Sequence, residues 1–255
     1  MLVQRLEETR LPMALQSPKL TTAGFVHGFG TRHADVGPEA TPDLRAAALE
    51  RLGASANARL AFAEVEQVHG IEVAHARAGG KHDIKADAVR VDADALLVAG
   101  AIRTADCVPI LIGNVRSGAV VAVHAGWRGL VSGVIESAIL AVGESHSLVC
   151  AIGPCIGPGA FEIGEDVAVQ FVNKVADQRV IVKKANSLYG DLQLAAQLVL
   201  TRMGVPFSAI DRLEHCTFTE DRLFFSYRRD RASFTAGTAG GRQLSFIAPH
   251  SRSTP

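Results

Sequence analysis

Two hydrophobic periods run through this chain. Short runs rich in valine and isoleucine, at residues 95–98, 108–112 and 119–123, are too short for helices and predict central strands. Residues 60–68 predict another strand that runs into Gln67, Val68, His69 and Gly70, and strand character resumes at 71–73, so His69 sits at a bend. The period then changes. Val131, Val134, Ile135, Ala138, Ile139 and Val142 keep the i, i+3, i+4 spacing of one helix face, and Gly143 closes it. The same order is expected again in a strand at 148–152, a turn rich in glycine and proline at 153–159, and a helix over 165–175. Asp191 caps a helix whose inner face carries Leu192, Ala195, Ala196, Val199, Leu200 and Met203 and which stops at Gly204. Residues 41–52 predict a helix opened by Pro42 and ended by Gly53. Residues 79–87, rich in Gly, Lys and Asp, predict a loop, and 224–227 and 244–247 predict late strands.

The alternation predicts a single mixed α/β domain spanning 1–255, with a core at about 20–248 and helices layered on a mixed sheet. Composition agrees: 48% of the 255 residues are hydrophobic and 20% charged, as in a compact protein. The 26 Lys and Arg balance 26 Asp and Glu, which argues against a nucleic-acid backbone as partner. The longest apolar runs, 95–102 and 118–123, fall far below the roughly 18 residues of a membrane span. Arg5, Glu7, Glu8 and Arg10 interrupt any apolar leader, so a cytoplasmic location is expected. Four scattered cysteines, Cys107, Cys150, Cys155 and Cys216, suggest reduced thiols, some of them metal ligands.

Three segments place metal-binding residue types at turns beside glycine: Gln67 to Gly70, Thr104 to Pro109, and Val123 to Gly129. Each ends an apolar strand, where loops gather to build sites. His69, Cys107 and His124 would fill three corners of a tetrahedral zinc and leave the fourth for water. The bland alternative is a pair of hydrogen-bonded histidines and a buried thiol, and the spacings match no local zinc-finger pattern.

The same segments resemble the YfiH/PgeF-like family, variously labelled polyphenol oxidase with a laccase domain, peptidoglycan editing factor and purine nucleoside phosphorylase. The resemblance runs from about Phe25 to Ile247 and is strongest in the Ala-Asp-Cys-Val-Pro and His-Ala-Gly-Trp-Arg-Gly stretches. It also takes in Gly153 to Pro158, Phe161 to Gly164, Phe224 to Asp230 and Gly241 to Gln243, whereas residues 31–48 depart from the family's usual Ser-Leu-Asn-Leu-Gly-like pattern. It implies a single mixed α/β domain with zinc held by His69, Cys107 and His124.

Further roles are expected around that ion. Asp106, beside Cys107, is a proton carrier or a cap for the turn. Arg128, near a helix start, is an anion-holding catalytic group or a surface arginine. Trp127 stacks on a planar base or packs in the core. Cys155 is a nucleophile candidate in an exposed Gly/Pro turn. Gln67 and Arg228 line the site by loop position and by resemblance.

The family's labels imply three reactions. A multicopper centre needs His-x-His pairs, and the nine histidines form none. A single blue-copper centre wants an axial Met, for which Met1, Met13 and Met203 are not obvious ligands, so zinc is expected ahead of copper. Phosphorolysis of adenosine, inosine and methylthioadenosine, with adenosine deamination, suits a zinc-activated water and an anion pocket. Small-molecule partners are then a purine nucleoside and phosphate. The competing enzyme is a zinc amidase that removes L-Ser from UDP-MurNAc-L-Ser. A non-catalytic metal-binding protein, with the fourth corner closed, is the reading of a different class.

Overall fold

The computed structural model describes residues 11–38, 40–95, 97–233 and 240–249. In chain order the first strands are β1 (Ala14–Leu15), β2 (Val26–Gly30), β3 (Ala61–Glu66), β4 (Val73–Ala76) and β5 (Gly80–Lys85). Then come β6 (Ala88–Val91), β7 (Val98–Thr104), β8 (Val108–Asn114), β9 (Val120–Ala125) and β10 (Leu148–Ile152). The last are β11 (Glu162–Ile163), β12 (Ile181–Lys184), β13 (Ser187–Gly190), β14 (Ile210–Arg212) and β15 (Gln243–Ala248). The helices are α1 (Pro18–Thr22), α2 (Pro42–Ser55), α3 (Trp127–Ser132), α4 (Val134–Val142), α5 (Glu165–Val175), α6 (Leu192–Arg202) and α7 (Tyr227–Asp230).

The expected mixed α/β architecture is present, but the strands divide between two six-stranded sheets. One has the order β1-β2-β15-β7-β3-β5, the other β14-β10-β8-β9-β6-β4, and a small sheet β11-β13-β12 stands apart. The two large sheets share one core. Phe29, Ala63, Val65, Ile102 and Ile247 of the first meet Val89, Val91, Leu111, Val120, Ala122 and Ala151 of the second. Both sheets mix parallel and antiparallel pairs, for example β3 parallel to β7 and β15 antiparallel to β7.

Period two decides which side chains go where. On β8, Val108, Ile110 and Ile112 face the helices while Leu111 faces the other sheet. On β9, Val121, Val123 and Ala125 join the helix-side cluster with residues of α4, α5 and α6, while Val120 and Ala122 face inward. His124 continues the inward set at the end of β9. The outer face of the first sheet is covered by α2, whose Ala48 and Leu52 pack with Phe62, Leu244 and Phe246.

Four expectations are corrected. Residues 79–87 hold β5, an edge strand paired parallel to β3; its side chains are exposed on both faces, so no apolar alternation marks it. The helix expected through 131–142 breaks into α3 and α4 at Gly133, whose φ of 112° is left-handed. Gly53 lies inside α2, which continues to Ser55. Residues 224–227 are not a strand: Phe224 closes a turn onto Glu220 and Tyr227 opens α7. Among the described residues, no helix is long and apolar enough to cross a membrane.

Candidate metal centre and cavity

The chain passes from one large sheet to the other after β3 and again after β7. Because β3 and β7 are parallel neighbours, both crossovers lie at the same end of the sandwich. The first carries His69 and the second Cys107, and β9 brings His124 to the same place. The ligand atoms of these three side chains all lie within 4.8 Å of one another, and among the described residues they form the only such group of His, Cys, Asp and Glu. Cys107 Sγ is 3.7 Å from His69 Nε2, and the two imidazole rings meet edge to face at 4.8 Å.

A residue the sequence reading placed in a loop holds this group together. Asp87 is fully buried. Its Oδ1 accepts from His124 Nδ1 at 2.7 Å and from the His69 N–H at 2.9 Å, and its Oδ2 accepts from the N–H groups of Gly70 (2.6 Å) and Val68 (3.2 Å). One carboxylate thus fixes the His124 tautomer, leaving Nε2 as that ring's donor, and pins the His69 bend, where φ is +61°. The signal was available: an acid between two alanines at the mouth of the apolar strand β6 must find partners when buried.

Glycines explain the rest of the His-Ala-Gly-Trp-Arg-Gly stretch. A Cβ on Gly126 would lie 2.7 Å from His69 Cδ2 and 3.0 Å from Cys107 Sγ, and one on Gly129 would lie 3.0 Å from the Gly70 carbonyl. The space beside the donors is therefore reserved. Electrostatics suit a cation. Burial alone would push the Cys107 thiol up, but His124 and then His69 bring it down to about 6. Burial would lower His124, but Cys107 and Asp87 raise it to about 9. Each group favours the charged form of the other, and a divalent ion can take the place of the proton between them. One thiolate and two imidazoles, packed by a carboxylate from behind, are a donor set that fits zinc.

The three donors line a cavity of about 650 Å³. Its walls include the rings of Trp127, Phe161 and Tyr227, the apolar Ile156 and Leu192, and four arginines, Arg103, Arg228, Arg231 and Arg242. In a chain of zero formal charge, that is a local concentration of positive charge.

The other expected site residues divide. Gln67 lines the cavity, but its amide is spent on both backbone groups of Arg103, at 2.8 Å each. Asp106 also lines it, with φ +96°; its oxygens accept from Thr217 Oγ1 (2.7 Å) and the Arg228 N–H (2.6 Å), so it fastens the turn. Arg228 lines the cavity while donating to the Glu162 carbonyl and lying over Phe161. Trp127 is half-buried, packed on the helix-side core, and reaches the cavity.

Two assignments fail on geometry. Arg128 is exposed, stacks on Trp127 at 4.5 Å and is not part of the cavity wall. Cys155 is 1% exposed, paired through its backbone with Cys216, and not among the residues that line the cavity; burial, with nearby Asp191 and Cys216, pushes its thiol well above the ordinary range. A buried, protonated thiol is no nucleophile. Arg103 and Arg242 were given no role in the sequence reading. The divergent segment 31–48 contributes Pro38 to the wall, and its Asp35 accepts from the Arg242 N–H at 3.0 Å.

Comparison with known proteins gives a consistent picture. The family described as multi-copper polyphenol oxidoreductase laccase matches residues 30–250. Purine nucleoside phosphorylase YfiH of Escherichia coli is 34% identical over 205 residues, 78% of each chain. A purine nucleoside phosphorylase of Pseudomonas aeruginosa is 36% identical over 207 residues, 77% of this chain and 78% of its own. Among solved structures, Neisseria meningitidis protein NMB0706 superposes with a TM-score of 0.73 at 30% identity, covering 89% of this chain and 95% of its own. YlmD from Geobacillus stearothermophilus gives 0.77 at 25% identity, covering 94% and 100%.

Proposed function

For this chain, which belongs to the multi-copper polyphenol oxidoreductase laccase family, we propose the activity of a zinc-dependent purine nucleoside phosphorylase in the cytoplasm. Adenosine, inosine and methylthioadenosine are the proposed nucleosides, and adenosine deamination a second activity of the same centre. The observation that carries this reading is the convergence of His69, Cys107 and His124 in a cavity walled by arginines and aromatic rings. The names of the relatives above point the same way.

His69, Cys107 and His124 would hold the ion, which when bound supplies a Lewis acid and lowers the pKa of a water toward ~7. The protein's own groups do the rest. Asp87 keeps His124 protonated on Nδ1 and its Nε2 turned to the centre. Trp127, Phe161 and Tyr227 offer a flat purine surfaces to lie against, and the arginines neutralise an anionic co-substrate. Holding the anion matters for cleaving a glycosidic bond with phosphate, because the nucleophile is an anion that must reach a sugar carbon turning cationic as the base leaves.

The family's description names copper oxidation, and the donor set favours zinc instead. A multicopper site needs several histidine-rich centres, whereas the described residues gather one three-donor group. Met13 and Met203 are packed in apolar clusters and neither lines the cavity, so no axial thioether is offered among the described residues, outside which Met1 lies. The test is metal analysis of the purified protein together with assays of the three nucleosides with and without phosphate. Zinc near one equivalent, and free base released only with phosphate, are expected. Turnover unaffected by metal removal, or release of L-Ser from UDP-MurNAc-L-Ser with all nucleosides inert, would refute it.

A further inference from the structure

Arg103 stands opposite Leu244 across the β7–β15 pair. Arg242 immediately precedes β15, two residues before Leu244, and extending the register sets it on the diagonal from Arg103, within reach of a long side chain. Both arginines line the cavity that holds the metal donors. Both are also held in place. Gln67 grips the backbone of Arg103 on both sides, and the buried Glu64 lies 3.6 Å from its Nε while also pairing with Arg45. Arg242 lies over the Tyr227 ring at 5.9 Å, donates to the Gly240 and Gly241 carbonyls, and is anchored at its N–H by Asp35.

The two guanidiniums feel each other. Burial makes the charge on Arg242 harder to keep and the charge on Arg103 adds to that, while Cys107, Asp106 and Asp35 oppose it. Glu64 is already shared with Arg45, and the Asp35 and Asp106 oxygens accept from backbone N–H groups and Thr217. Four arginines and one carboxylate, Asp106, line the cavity among the described residues, and forked donors match the oxygens of a phosphoryl group.

We propose that Arg103 and Arg242 form a phosphoryl-anion subsite beside the metal centre. The inference rests on the phosphorylase reading above for its ligand, inorganic phosphate; the same chemistry would take the diphosphate of a uridine-diphosphate-linked precursor. Binding is read without turnover, by calorimetric titration of the zinc-loaded protein with inorganic phosphate and, separately, with UDP. Wild type, Arg242→Gln, Arg103→Gln and Arg128→Gln are compared, with Arg103→Lys as the variant that keeps Glu64 paired if Arg103→Gln does not fold.

Loss of one guanidinium at the subsite weakens binding by about tenfold or more, and Arg128→Gln leaves it unchanged. Arginine-dependent binding of phosphate assigns the free anion, and arginine-dependent binding of UDP alone assigns the diphosphate; either supports the subsite. If wild type binds such a ligand but cleaves no nucleoside, the subsite stands and the phosphorylase reading falls. If inosine is phosphorolysed and Arg103 and Arg242 variants keep the wild-type KM for phosphate, the subsite falls alone. It also falls if affinity is lost in Arg128→Gln and not in Arg242→Gln, or if neither ligand binds wild type.

Discussion

Replacing Asp87 with Asn keeps the shape of the side chain and removes its charge and half of its accepting capacity. With the amide oxygen at the Oδ1 position, the bonds from His124 Nδ1 and the His69 N–H survive as neutral ones. The NH2 group then faces the N–H groups of Gly70 and Val68, two donors without an acceptor. Buried unpaired donors cost about 1–3 kcal/mol each, but Val68 is 45% exposed and water reaches that edge, so the total falls near the lower end, about 2 kcal/mol. Metal affinity falls as well, by about 10- to 100-fold, because His124 is oriented by a weaker bond and its donor nitrogen is less basic. Competition for zinc against a chromophoric chelator reads the affinity, and urea unfolding of the metal-free protein reads the stability. The acid dependence adds a sign. Burial pushes the Asp87 carboxyl up, but the bonds from His124, Gly70 and His69 outweigh it and hold it below the ordinary range. Its contribution is therefore complete above the unfolded value of about 3.9 and fades as pH falls through the lower folded value, so wild type loses more stability in acid than Asp87→Asn. Zinc affinity within threefold of wild type and an unchanged urea midpoint would show that Asp87 does not organise the centre.

Gly126→Ala puts a methyl group 2.7 Å from His69 Cδ2 and 3.0 Å from Cys107 Sγ, so zinc binding drops at least tenfold while overpacking destabilises the fold by about 1–3 kcal/mol; chelator competition and thermal melting measure the two. His27 is buried and neutral: burial lowers its pKa below 6.5, its Nε2 accepts from the Ser17 N–H at 2.8 Å and its Nδ1 donates to the Phe25 carbonyl at 2.9 Å. Because the unfolded chain takes the proton first, stability falls as pH drops below about 6.5, and the urea-midpoint advantage of wild type over His27→Gln should shrink between pH 7.5 and 5. Cys155→Ala leaves zinc affinity and turnover within about twofold and costs about 1–2 kcal/mol in stability through lost packing, and the native Cys155 thiol resists iodoacetamide under conditions that label Cys107 in the metal-free protein. Rapid inactivation traced to Cys155 by mass spectrometry would overturn that assignment.

The central strands were legible because β8, β9 and β10 are buried on both faces, and such strands are continuous apolar runs with no competing helical spacing. The grouping of His69, Cys107 and His124 was legible for a related reason: each follows such a run, so the strand fixed the position of the turn. The edge strand β5 was hidden because it buries nothing on either face. Gly133 read as one more residue of a helix because spacing reports side chains and is silent on a left-handed backbone. The errors in the site have one origin. Arg128 and Cys155 were chosen for lying close in sequence to the proposed ion or to a glycine, whereas Arg103 comes from β7 and Arg242 from just before β15, 139 positions apart, and strand pairing brings both to one cavity.

That pairing also explains how a chain without net charge can present a cationic cavity. The sandwich places two crossovers and the end of β9 at one edge, and the loops there carry their acids inward. Asp87 turns to His124 and three backbone N–H groups, Asp106 to Thr217 and Arg228 N–H, and Asp35 to Gly37 and Arg242 N–H. Asp106 is the one carboxylate among the described residues that line the cavity, beside four arginines. Neutral donors orient these acids without cancelling their charge, so the local excess of positive charge rests on the four arginines gathered there. A substitution that frees one of these acids from its loop, such as removal of the Thr217 hydroxyl from Asp106, should weaken anion binding without touching an arginine.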